Sequence, residues 1–308
     1  MRLSLLVVVV AAALSCAAAA SPPAGGKMPL TPDFYKQTCP RAERIIAEVI
    51  QSKQMENPTT AAGVLRVFFH DCFVGGCERL RADRVQPVSP SPSTMRRSTS
   101  LFRATPSTPW SRAKLALEME CPGVVSCADI LFTGLGRAGH ADGRAPLPGF
   151  SVQELVALSG AHTLGFSHCK EFADRIFNYR DKKDGKPEPF DPTMNPSFAR
   201  GLQGACKDYL KDPTIAAFND IMTPGKFDNM YFINLERGLG LLDTDEELWT
   251  DPRTKPFVQL YASNSTKFFD DFGRAMEKLS LLGVKTGAEG EIRRRCDTYN
   301  HGPNMPTN

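Results

Sequence analysis

The stretch Ala61-Ala62-Gly63-Val64-Leu65-Arg66-Val67-Phe68-Phe69-His70-Asp71-Cys72-Phe73-Val74-Gly75-Gly76-Cys77 decides how the rest of the chain is read. It opens as an apolar helix and closes in a glycine-rich loop. Arg66 and His70 are four residues apart, so a helix puts them on one face. A helix this apolar belongs in an interior, where an arginine and a histidine need a reason to be. A pocket that requires fixed positive charge beside a proton acceptor is such a reason. The plainer reading is a satisfied core histidine. The arginine, Asp71 and the two nearby cysteines weigh against it.

Working outward, the N-terminus has the form of a secretory signal. Arg2 gives a positive start, Leu3 to Ala13 is a short apolar run, and small residues lead to Ala20-Ser21. The expected organisation is a signal peptide over 1–20, a Pro/Gly linker over 21–30, one domain over 31–300 and a tail over 301–308. No stretch reaches the ~18 apolar residues of a membrane span. A net charge of +3 argues for neither nucleic acid nor a membrane surface. Nothing in the chain calls for an oligomer, so a monomer is expected.

Removing Cys16 with the signal leaves eight cysteines, at 39, 72, 77, 121, 127, 169, 206 and 296. An even number in a secreted chain implies disulfides, and the pairing is open among 105 connectivities. Cys72–Cys77 closes the shortest loop. A structural zinc protein is disfavoured, because no C-x-x-C pair occurs. Asn264-Ser265-Thr266 is an acceptor for N-linked sugar.

The remaining elements read as helices. Pro40 is placed in the first turn of a helix with Ile45, Ile46, Val49 and Ile50 as its apolar stripe. A second helix starts near Thr60. A third, from Ser111, carries Lys114, Leu115, Leu117 and Met119, and another begins at Cys127. Ser151-Val152-Gln153-Glu154 is a capping box. Helices are expected over 167–178 and 195–208. Asp228 caps a helix through Leu235, and Thr244-Asp245-Glu246-Glu247 forms a second capping box. Two more helices run over 254–262 and 265–281. No alternating strand pair stands out, so the fold class is all-α, with long loops stapled by disulfides. Residues 78–110 break the pattern, with six arginines, many Ser, Thr and Pro, and no apolar periodicity. Taken alone they read as disordered.

His70 and His162 lie in separate apolar settings, an arrangement haem uses. One histidine binds iron while groups on the opposite face act on the oxygen ligand. Arg66 and His70 suit peroxide: the histidine moves a proton from one oxygen to the other, and the arginine stabilises the charge that develops as the O–O bond breaks. An iron-bound histidine also needs an acceptor on its other nitrogen. Asp245, beside Gly240-Leu241-Leu242, is a candidate, with a capping role as the alternative. Oxygen ligands cluster twice: Asp71, Glu78 and the backbone of Val74 and Gly76 in one group, and Thr163, Asp220, Thr223 and Asp228 in the other. Such sets suit calcium.

Together these stretches resemble the secreted haem peroxidases of plants, class III of the horseradish peroxidase type. Residues 66–77 resemble that family's distal motif, and Leu158-Ser159-Gly160-Ala161-His162-Thr163-Leu164-Gly165 its proximal haem-ligand motif. Phe34-Tyr35 with Thr38-Cys39-Pro40, residues 124–131, and Phe227-Asp228-Asn229 with Tyr231 match further signatures. The resemblance implies haem b held between distal and proximal helices. Arg66 and His70 are then the acid–base pair, His162 the iron ligand, Asp245 its carboxylate partner, and Phe69 lies against the haem. One calcium ion is implied at Asp71, Val74 and Gly76. A second is implied at Thr163, Asp220, Thr223, the Lys226 backbone and Asp228. The implied bridges are Cys39–Cys121, Cys72–Cys77, Cys127–Cys296 and Cys169–Cys206. The implied reaction reduces hydrogen peroxide and oxidises phenolic or similar one-electron donors, in the cell wall, apoplast or vacuole.

Two departures qualify the resemblance. After Cys77 the family has Asp-Ala-Ser, whereas Glu78, Arg79 and Leu80 stand here, so one calcium ligand has no side-chain oxygen. No Asn occurs between Glu78 and Glu120, although the family holds its distal histidine with one. Out-of-frame or mis-spliced sequence would have this content. Between Cys127 and His162 the chain is also shorter than the family by tens of residues. The competing expectation is therefore a non-catalytic relative that binds haem weakly or not at all.

Overall fold

The computed structural model describes residues 31, 33–73, 107–134, 149–180, 185, 187–282, 284, 286–287, 290–298 and 300. The chain is helical: α1 Ala42–Glu56, α2 Thr60–Phe73, α3 Pro109–Glu120, α4 Cys127–Gly134, α5 Val152–Ser159, α6 Ala173–Ile176, α7 Pro196–Ala205, α8 Met230–Glu236, α9 Asp243–Thr250, α10 Lys255–Ser263 and α11 Ser265–Ser280. Two short antiparallel ribbons join them, which the sequence reading did not anticipate. Strand β1 (Phe166–His168) pairs with β4 (Ala216–Phe218), and β2 (Tyr179–Arg180) with β3 (Pro187–Glu188).

The expected helix over 167–178 is thus replaced by strand, a 3₁₀ turn and the four-residue α6. Gly165, at φ +93°, breaks the local run and leaves its carbonyl to accept from the Asn219 N–H at 3.1 Å. That bond starts the β1–β4 ladder. Helix α1 also begins two residues after Pro40, because 33–40 winds as turns and the Cys39 carbonyl accepts from Ala42 N–H at 2.9 Å. In α3, Trp110, Ala113, Lys114 and Leu117 face inward, while Leu115 and Met119 are 65% and 83% exposed, contrary to the expected stripe. The inward lysine is paired: its Nζ donates to the Val125 carbonyl and to Glu118 Oε1, both at 2.6 Å.

The main core joins the inner faces of α1–α5, α8, α10 and α11, and a smaller one gathers Phe172, Ile176, Met194, Leu202 and Leu241. Disulfides Cys39–Cys121, Cys127–Cys296 and Cys169–Cys206 are formed, over separations of 82, 169 and 37 residues. Each restricts the unfolded chain by about 3–5 kcal/mol. Cys72 lies in the last turn of α2, and Cys77 lies outside the described residues. Among the described residues no helix is long and apolar enough to cross a membrane. Asn264 is exposed and caps α11, its Oδ1 accepting from Lys267 N–H at 2.9 Å.

Candidate active site

The site is built on the end of α5. Ser151 Oγ accepts from Glu154 N–H at 3.2 Å and Glu154 Oε2 from Ser151 N–H at 2.7 Å, the reciprocal box expected from the sequence. The helix then tightens into a 3₁₀ turn over Gly160–Thr163. Gly160 is required there. A Cβ would lie 2.4 Å from Phe268 Cε2 and 2.9 Å from Phe232 Cζ. The turn therefore presses on the aromatic cluster of α8, α10 and α11, and this fixes where His162 projects.

His162 Nδ1 lies 2.8 Å from Asp245 Oδ1. Asp245 is an acceptor when ionised, so the histidine donates from Nδ1 and leaves Nε2 as the unprotonated nitrogen. The His162 side chain is 38% exposed, whereas Asp245 is 2% exposed. One edge of the ring is thus anchored in the interior and the other faces open space. Burial alone would push the imidazole pKa down. The charge and hydrogen bond of Asp245 override that and raise it, against a smaller opposing push from Arg66. Arg66 on α2 is thus close enough for its charge to act on His162. Arg66 is exposed by area, yet the surrounding protein withholds enough water to lower its pKa, an effect that Glu171 opposes. Phe69, one turn on, is half-buried against the core. His70 and Asp71 belong to the last turn of α2.

Asp245 has a defined setting. The expected capping box at Thr244 is not what forms: the cap lies two residues earlier, at Leu242, α9 begins at Asp243, and Asp245 Oδ2 accepts from the Leu242 N–H at 3.3 Å. Asp245 thus serves in the cap and toward His162 at once. The Gly240–Leu242 loop before it is held by buried Arg175, which the sequence reading did not single out. Arg175 Nη1 donates to the carbonyls of Gly240 (2.9 Å) and Leu241 (3.0 Å), and Nε to Asp191 Oδ2 at 2.9 Å. The available signal was an arginine inside the apolar run Phe172-Ala173-Asp174-Arg175-Ile176-Phe177. Tyr231 Oη also donates to Asp245 Oδ1, at 2.8 Å.

Glu246, next to Asp245, is buried, and its Oε2 has no hydrogen-bond partner among the described residues. Burial raises its pKa to about 7; Arg175 opposes this, and Asp191, Asp245 and Asp243 add to it. The folded chain therefore holds a proton that the unfolded chain releases near pH 4.5. Stability falls as pH rises from there to about 7 and stays low above it, by about 2–3 kcal/mol. Glu246→Gln is expected to remove that slope, raising Tm relative to wild type at pH 8 but not at pH 4. Equal Tm differences at both pH values would refute it.

The second oxygen cluster is assembled. Thr163 Oγ1 lies 3.5 Å from Asp220 Oδ2 and 3.3 Å from the Lys226 carbonyl, and Thr223 Oγ1 lies 3.0 Å from Asp220 Oδ2 and 3.1 Å from Asp228 Oδ1. The set is two carboxylates, two hydroxyls and a carbonyl, all hard oxygens. Lys226 Nζ reaches Asp228 Oδ2 at 3.2 Å and offsets part of the negative charge. Among the described residues no group of three or more His, Cys, Asp or Glu forms a metal cluster. In the first oxygen cluster, Val74, Gly76 and Glu78 lie outside the described residues.

The description "Peroxidase" belongs to the family that matches residues 46–148 and again 137–264. The chain belongs to the peroxidase family. Membership carries a haem peroxidase function. Peroxidase 65 of Arabidopsis thaliana is 47% identical over 312 aligned positions, covering 88% of this chain and 90% of the relative. Peroxidase 31 of the same plant is 46% identical, covering 88% and 94%. The alignment with Peroxidase 65 is longer than this 308-residue peroxidase, of which 88% is about 271 residues, so about forty positions face a gap in it. That agrees with a chain shortened by tens of residues. The two family matches overlap at 137–148, within the stretch where the shortening was read.

Proposed function

We propose that this peroxidase is a secreted enzyme that reduces hydrogen peroxide and oxidises phenolic or similar one-electron donors, with haem b on His162. The observation that carries the reading is the His162–Asp245 pair: one nitrogen bonded to a buried carboxylate and the other left unprotonated on the exposed edge of the ring. Those residues fit a haem. A haem so held supplies the iron that exchanges electrons with peroxide and donor. The chain does the rest. Asp245 fixes the tautomer of His162 and makes it a stronger donor ligand. His70 takes the proton from one peroxide oxygen and returns it to the departing one, while Arg66 offsets the developing negative charge. Phe69 provides apolar contact with the haem face. Residues 1–20 direct export, Asn264 carries N-linked sugar, and Cys72–Cys77 forms the fourth bridge.

The test is the absorption spectrum of the secreted protein refolded with haem and calcium. A Soret band that shifts with hydrogen peroxide and recovers with a phenolic donor is expected. No Soret band in folded, disulfide-intact protein would overturn the reading in favour of a non-catalytic relative.

Thr163, Asp220, Thr223, the Lys226 carbonyl and Asp228 hold calcium in this proposal, and Asp71, Val74, Gly76 and Glu78 form the other site, weakened by Leu80. Binding to the folded state alone contributes about 3–4 kcal/mol at 100–1,000 times Kd. Chelation is therefore expected to lower Tm, and Asp220→Asn to abolish most of that response. A Tm indifferent to calcium in wild type would remove both ions from the proposal.

A further inference from the structure

The His162–Asp245 pair is not isolated. Asp245 Oδ1 accepts two hydrogen bonds of equal length, 2.8 Å from His162 Nδ1 and 2.8 Å from Tyr231 Oη. Asp245 Oδ2 has the longer bond from Leu242 N–H at 3.3 Å. Tyr231 is buried on α8, edge-on to the His162 ring at 6.1 Å and to Phe232 at 5.0 Å. The start of α8 is fixed on both sides. Asp228 Oδ1 accepts from Met230 N–H at 2.9 Å, and Asn229 Nδ2 donates to the carbonyls of Tyr261 and Ala262 at 3.0 and 2.9 Å. The phenol is thus held on Asp245 by anchored backbone.

We propose that Tyr231 is a positioning residue for His162: the Tyr231 hydroxyl competes with the imidazole for a single oxygen of Asp245 and so limits the anionic character of the imidazole. The inference rests on the reading of His162 as the iron ligand. A carboxylate oxygen shares its electron density among its donors. With two donors, each N–H or O–H is polarised less than it would be alone. An iron-bound imidazole with a weaker pull on its Nδ1–H donates less charge to the metal. The phenol stays a donor over the working pH range. Burial first, then the charge and hydrogen bond of Asp245 and the charge of Glu246, hold its pKa well above the ordinary value. The ring alone does not explain the choice of residue, because phenylalanine fills nearly the same volume and stands next in the chain as Phe232.

The test uses the full chain refolded with haem, comparing wild type, Tyr231→Phe, and a protein with 3-fluorotyrosine at position 231, whose phenol is a stronger donor of unchanged shape. Tyr231→Phe is expected to lower the Fe(III)/Fe(II) reduction potential and raise the iron–histidine stretching frequency in resonance Raman. The fluorinated side chain should shift both the opposite way. In an Asp245→Asn background the effect of Tyr231→Phe should shrink, because the charge through which it acts is gone. A purely structural role would lower Tm and leave potential and stretch alone, which overturns the proposal. So does an equal shift with and without Asp245. Haem without an iron–histidine stretch in wild type would overturn the reading of His162 as iron ligand and this inference together. A wild-type stretch that Tyr231 variants do not move would overturn only the inference.

Discussion

His70→Ala is expected to lower kcat/KM for hydrogen peroxide by about 10²–10⁴-fold while the Soret band persists, whereas His162→Ala loses the band as well. The proposed roles of the two histidines differ because the two residues stand on different elements. His70 belongs to α2, one turn after Arg66, and the positive charge of Arg66 is felt at His162. A haem held on His162, as proposed, would lie between the 3₁₀ turn at 160–163 and α2. Removing the proton acceptor on the α2 side raises the barrier by about 3–5 kcal/mol, at 1.36 kcal/mol per decade. It leaves the iron ligand untouched. Removing His162 takes away the one nitrogen that Asp245 orients toward open space. Stopped-flow kinetics and titration with haem separate these outcomes. Wild-type kinetics in both variants would mean that neither histidine faces peroxide.

Long periodic helices were legible in the sequence. Helices α2, α5, α7, α10 and α11 lie within a few residues of their expected bounds, since each carries an apolar stripe and most a capping side chain or an N-terminal proline. The failures cluster at 166–180. There the apolar residues are dense enough to suggest a helix, but Gly165 and a ladder to residues 216–218 decide otherwise. A partner fifty residues away leaves no local signal. Leu115 and Met119 misled for a related reason. The inward face of α3 is marked by Trp110, Ala113 and a paired lysine, so a count of large apolar residues points to the wrong side.

The candidate site was legible where the chain quotes a motif, and silent where it depends on assembly. Asp245 is a candidate partner of His162 from its apolar neighbourhood and from the resemblance, and no spacing rule joins residues 83 positions apart. Tyr231 was visible only as part of a signature. Its hydroxyl acquires meaning when α8 is laid against α9. Glu246 read as a helix-start carboxylate like its neighbours, and only burial separates it from Glu247. Arg175 is the largest omission, because a buried guanidinium is interpretable only once its acceptors are known.

Arg175→Met is therefore expected to be among the most damaging single changes outside the haem-facing residues, costing about 3–5 kcal/mol. Arg175 and Asp191 are both buried, with Nη2 to Oδ2 at 2.8 Å and Nε to Oδ2 at 2.9 Å. Burial alone would raise the Asp191 pKa, but bonds from Thr193 and Arg175 hold it below its ordinary value. A depressed carboxylate pKa contributes stability above about pH 4 that is lost on acidification. Without the guanidinium, part of that contribution disappears and a buried charge stands uncompensated. The carbonyls of Gly240 and Leu241 lose their donors as well, so the loop that presents the Leu242 N–H to Asp245 is no longer held. Urea denaturation should show the loss of stability, and haem titration a parallel loss of affinity through Asp245. Asp191→Leu added to Arg175→Met should recover part of the stability, because it removes the stranded charge. It should not recover haem affinity, because it restores no donor to the loop. Recovery of both together would mean that Arg175 acts through the ion pair alone and has no part in placing Asp245.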